Sequence, residues 1–131
     1  MANSNLLIAF NNHFEEFLSD INRVFPDNVD IKKAQNGLMA IRKANPKIII
    51  KIWNDYIIKG YNDAIEKGDI NFFISKDYTK DFSSNQYAEK IMQGIDRLRD
   101  PVKNMNNDDQ SKVIKYIQNL TKLATIYENS N

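Results

Sequence analysis

Along this chain the apolar residues recur at steps of three and four, and that spacing constrains the fold more than any other feature. Leu7, Phe10, Phe14, Phe17, Ile21 and Val24 share one stripe of a helix over about residues 4–24. Pro26 ends it, because the residue before a proline is pushed out of the helical region. A second helix is predicted from Asp27 or Asn28, either of which can accept orphan N–H groups of a first turn, with Ile31, Ala34, Leu38 and Ile41 facing inward. It stops at Asn45-Pro46, where Asn can cap a third helix over about 46–66 and Pro suits its first position. Apolar residues from Ile48 through Trp53 to Ile65 cover well over half of that third helix, so it is expected to be central. Gly68-Asp69 terminates it.

Residues 70–82 follow neither helical nor strand spacing and read as a short helix or turn before a loop packed by Phe72, Phe73, Ile74, Tyr78 and Phe82. Ser83 and Gln86 give a capping-box pattern for a fourth helix, carried by Ala88, Ile91, Ile95, Leu98, Val102 and Met105, with a kink or split at Asp100-Pro101. Asn107 and Gln110 repeat the pattern for a last helix over about 108–128, turned inward through Val113, Ile117, Leu120, Ala124 and Tyr127. With four glycines and three prolines, long helices are permitted, and no segment predicts a strand. The expected fold is all-α: one domain over residues 1–131, a bundle of about five helices with helix three central.

Composition removes several classes of function. The 131 residues include no cysteine, which excludes disulfides, thiolate metal ligands and a thiol nucleophile. The longest apolar run, Leu6 to Phe10, falls far short of the ~20 residues of a membrane-spanning helix. No basic stretch precedes that run and no small-residue cleavage site follows it, and Ala2 stands where myristoylation needs glycine. An intracellular protein without membrane attachment is therefore expected. Eighteen Asn, eighteen Ile and fourteen Lys against four Arg reflect codons rich in A and T, so their abundance is discounted as a functional signal.

Reactive constellations are few. His13 and Glu16 make a His-x-x-Glu on one helix face, but a bundle metal site needs a second such pair and the chain has one histidine. The pair reads as a boundary histidine beside a carboxylate. Asp77 and Asp81 share a face if their segment is helical, without a third ligand for a divalent ion. The serines include several at capping positions and none that sequence logic places near His13, and no two glycines lie close enough for a phosphate loop. No enzymatic activity, cofactor or metal is expected.

Charge is the strongest lead. Residues 1–30 carry five acids against Arg23, a net of −4, and residues 31–59 carry seven bases against Asp55, a net of +6. The net of +1 thus conceals a polarised chain. The candidate binding surface is Lys32, Lys33, Arg42, Lys43, Lys47, Lys51 and Lys59, with Lys47, Lys51, Asp55 and Lys59 along one stripe opposite Trp53 and Ile57. Such a surface can neutralise phosphates without reading bases. Its Lys-rich character, its aromatics on the opposite face and the pI of 7.9 weigh against a dedicated nucleic-acid module. The other readings are that acidic helix one covers the patch, or that two copies pair acidic to basic faces.

Phe25-Pro26-Asp27-Asn28, Asn45-Pro46-Lys47, Gly68-Asp69-Ile70 with Phe72-Phe73-Ile74, Asp96-Arg97-Leu98-Arg99-Asp100-Pro101 and Lys115-Tyr116-Ile117-Gln118-Asn119-Leu120 span most of the chain. In these motifs it resembles a set of small helical proteins of nucleocytoplasmic large DNA viruses of algae and protists. The resemblance implies a viral origin, with host cytoplasm or the virion as location, and no particular chemistry. The expected function is a non-enzymatic protein-interaction or structural protein, a virion or virus-factory component acting through helix faces. Weak, sequence-independent nucleic-acid binding through the lysine surface is the alternative.

Overall fold

The computed structural model describes residues 2–71 and 86–130, and the regular structure among them is helical throughout. Helix α1, Ala2–Val24, buries Phe10, Phe14, Phe17 and Ile21 as their spacing predicts. Helix α2, Val29–Ala44, opens at Asn28, whose Oδ1 accepts the Ile31 N–H at 3.1 Å, so Asn28 and not Asp27 is the cap. Asn45 closes α2 by donating its N–H to the Ile41 carbonyl at 2.8 Å. Its Oδ1 then accepts the Lys47 N–H at 3.3 Å and its carbonyl the Ile48 N–H at 3.2 Å. Pro46 therefore sits in a tight turn rather than at a first helical position.

Helix α3 covers residues 48–66 in three consecutive stretches: α-helical Ile48–Ile52, π-helical Trp53–Ile58 and α-helical Lys59–Glu66. The apolar spacing explains the wide turns. Trp53, Ile57, Tyr61 and Ile65 are each four apart, and on a 3.6-residue helix three such steps drift by about 120°. Widened turns take much of that drift back, so Trp53, Ile57 and Ile65 are all buried. Backbone angles of φ −136° and ψ 17° at Tyr61 add a kink. The helix ends where Gly68, at φ 71°, donates to the Ile65 carbonyl at 3.0 Å and Asp69 to that of Ala64 at 2.9 Å, a Schellman closure.

Helix α4, Gln86–Asp96, and short α5, Arg99–Lys103, are the split fourth helix. The break falls at Arg97-Leu98, because the Pro101 ring denies an α-helical approach to the carbonyl four residues earlier. Helix α6, Asn107–Asn129, is capped by Asn106, one residue before the expected position, whose Oδ1 accepts the Asp109 N–H at 2.8 Å. Gln110 does not complete a capping box. Its amide donates to the Val102 and Lys103 carbonyls at 3.0 and 3.3 Å and so ties α6 to the end of α5.

Helix α1 packs along α6 and against α2, α2 packs against α4, and α3 touches α1, α2, α4 and α6. Rings do much of the joining. Phe10 and Phe14 stack at 6.2 Å, and Trp53 of α3 meets both edge-on at 6.0 and 6.2 Å, a favoured geometry for aromatic pairs. Two polar ties cross the core: the Trp53 indole donates to the Thr121 hydroxyl at 3.1 Å, and the Asn54 amide to the Ala124 carbonyl at 3.1 Å. The predicted packed loop with Phe72, Phe73, Ile74, Tyr78 and Phe82, the Ser83 cap and the Asp77/Asp81 pair lie outside the described residues.

Candidate anion-binding surface

Helix α2 presents Lys32, Lys33 and Lys43 because Ile31, Ala34 and Leu38 take its inner face. The Asn45-Pro46-Lys47 turn and the first stretch of α3 present Lys47 and Lys51, since Ile49, Ile50 and Ile52 are buried. All five lysines are exposed, and among the described residues none has an ion-pair partner. Lys59 is 75% exposed and lies 3.8 Å from Asp55, one turn earlier, a contact worth little in water.

Arg42 does not belong to the free surface. It reaches the Glu15 carboxylate at 2.7 Å and the Asn12 side-chain carbonyl at 2.7 Å, which ties α2 to α1. The remaining acids of α1 are engaged on their own helix: Glu16 lies 3.6 Å from His13, and Asp20 accepts from Arg23 at 2.6 and 3.1 Å. The acidic first helix thus packs against α2 and α3 yet neutralises one of the seven predicted cations.

The fold adds two cations that segment arithmetic hid. Lys90 on α4 and Arg97 just past its end stand across a groove from Lys33 on α2, with Gln93 between them. Both lie in the 60–100 segment, whose net charge of −2 conceals them. Their seven-residue spacing beside the buried Ile91, Ile95 and Leu98 was the available signal, since it puts them on one flank of α4. Ala34, Gly37, Leu38, Ala40, Ile41 and Gly94 line the rest of the groove, and among the described residues no carboxylate lines it. The two helices close on each other at Gly94, where a Cβ would lie 3.1 Å from the Leu38 side chain.

His13 is a boundary residue, 22% exposed, with its ring centroid 4.9 Å from that of Tyr116 on α6 and its Nδ1 toward Glu16. Tyr116 also meets Phe17 at 5.6 Å. Burial, followed by the charges of Asp20 and Glu16, pushes the Tyr116 phenol upward from its ordinary range. Among the described residues no group of three or more His, Asp or Glu side chains is placed to hold a metal ion, and no helix is long and apolar enough to cross a membrane. Comparison with protein-family models, with curated proteins and with solved structures finds no match to this chain.

Proposed function

We propose that the chain is a non-enzymatic interaction protein that docks an acidic protein partner through the faces of α2, α3 and α4. One observation carries this reading: among the described residues Lys32, Lys33, Lys43, Lys47 and Lys51 stay exposed and without an ion-pair partner although acidic α1 packs directly against their helices. Cations that the described residues leave unpaired are complementary to an anionic surface elsewhere, and such complementarity steers association and selects partners. The resemblance to proteins of large DNA viruses makes a virion or virus factory the setting.

Nucleic acid is the second reading, favoured by the extension of the cationic surface to Lys90 and Arg97. The burial of Trp53, 3% exposed, speaks for a protein partner, because base stacking needs rings among the cations. Capture from a nuclease-treated lysate of the expressing cells, with light scattering on the purified chain, tests the proposal. The expected result is a protein partner or a self-association that survives nuclease. A monomer that retains nothing once nucleic acid is digested contradicts it.

A further inference from the structure

We propose that the groove between α2 and α4 receives an acidic amphipathic helix of a partner protein. The inference rests on the reading of the chain as an interaction protein and adds the site and the chemistry of the occupant.

The floor and the rims of this groove ask for different things. The floor is apolar and low, formed by Ala34, Gly37, Leu38, Ala40, Ile41 and Gly94. Small side chains at successive turns let another helix approach closely and set a row of apolar side chains against the floor. A phosphodiester backbone has nothing to gain from such a floor. The rims are cationic on both sides, with Lys33 on α2, Lys90 on α4 and Arg97 just past the end of α4, all exposed and without an ion pair among the described residues. An amphipathic helix with an apolar stripe flanked by Asp or Glu satisfies floor and rims together. Lys90 and Arg97 lie seven residues apart, and Arg97 still donates its N–H to the Gln93 carbonyl at the end of α4. The two are therefore about 10 Å apart along the α4 axis, which matches carboxylates spaced two turns apart on the partner.

Gly37 supplies the decisive variant. It is exposed in the middle of α2, and a Cβ there meets no atom within 4 Å, so the groove is open above it. Glycine in a helix interior is less favourable than leucine, so Gly37→Leu fills the groove and strengthens the helix at once. Loss of binding in this variant with an undiminished melting temperature does not arise from unfolding.

The probe is a synthetic helical peptide with an Ala/Leu stripe flanked by Glu, followed by fluorescence anisotropy. Its controls are the same peptide with Lys for Glu, and an oligothymidylate. The wild-type protein is expected to bind the acidic peptide and not its basic counterpart. Gly37→Leu, and Lys33→Glu combined with Lys90→Glu, are each expected to weaken binding by about tenfold or more while the melting temperature of Gly37→Leu does not fall. Undiminished binding by Gly37→Leu, equal binding of the basic peptide, or no binding of the acidic peptide overturns the proposal. So does oligothymidylate binding that is lost in the same two variants. The combined reversal Lys43→Glu, Lys47→Glu and Lys51→Glu separates this inference from the broader one. Peptide binding that survives it belongs to the groove, whereas binding lost there and retained in the groove variants places the partner on α2 and α3 and overturns only the groove.

Discussion

Thr121 and Trp53 make one of the polar ties between α3 and α6, and their burial makes the tie expensive to break. Thr121→Val removes the acceptor of the buried indole N–H at nearly constant volume, so a loss of about 1–3 kcal/mol in chemical denaturation is expected. A change below a few tenths of a kcal/mol contradicts that assignment. Neither Thr121 nor Asn54 was legible as a core residue, since polar residues inside an apolar stripe read as its edge. In a chain with eighteen Asn, the buried Asn11, which donates to the Pro46 carbonyl at 2.9 Å, gave no signal either. His13 was legible, because its boundary position and Glu16 follow from helical spacing alone. Its ring partner Tyr116 was not, since that contact depends on how α1 and α6 meet. Tyr116 carries a pH prediction. Its phenol is held above the ordinary tyrosine value, so the folded state keeps its proton where the unfolded state has released it. The resulting stability is fully present below about pH 10 and is lost as the pH rises through the higher folded-state value. Denaturation midpoints measured across that alkaline range are expected to fall less steeply in Tyr116→Phe than in the wild type; parallel curves contradict it.

The helices themselves were readable because each needs only local information: stripes for α1 and α2, a cap at Asn28, a stop at Gly68. What spacing could not resolve was hydrogen-bond register. Spacing showed apolar residues covering well over half of α3 with a charged stripe opposite, but not the π-helical stretch or the Tyr61 kink within it. Likewise Asn106 and Asn107 are equivalent candidates by sequence, and the backbone angles at Asn106, φ −70° and ψ 171°, decide between them. Two glycines test the element ends and crossings. Gly68→Ala forces a left-handed conformation on a residue with a Cβ and is expected to cost about 1–2 kcal/mol. Gly94→Ala brings a methyl group within 3.1 Å of the Leu38 side chain, and this crowding opposes the roughly 1 kcal/mol by which alanine favours a helix interior over glycine, so a net change within about 1 kcal/mol is expected. Thermal and denaturant unfolding check both; an increase in stability at Gly68, or a gain at Gly94 well beyond about 1 kcal/mol, contradicts the packing described.

Across the whole molecule, charge is distributed by the fold in a way that segment totals only partly anticipate. The polarity between residues 1–30 and 31–59 was visible in the sequence, as was the possibility that one neutralises the other. Tertiary structure divides the outcome: Glu15 takes Arg42, Glu16 and Asp20 stay on their own helix, and among the described residues the lysines of α2 and the start of α3 have no ion-pair partner. Lys90 and Arg97 enter the surface only because α4 lies beside α2. The central claim is that these open cations recruit an acidic protein. Its most direct test compares what the wild type and the combined Lys43→Glu, Lys47→Glu, Lys51→Glu and Lys90→Glu variant retain from the same nuclease-treated lysate, at about 50 and about 200 mM salt. The account predicts acidic proteins held by the wild type at low salt, diminished at high salt and absent from the variant. The same proteins on both, with no dependence on salt, would contradict it.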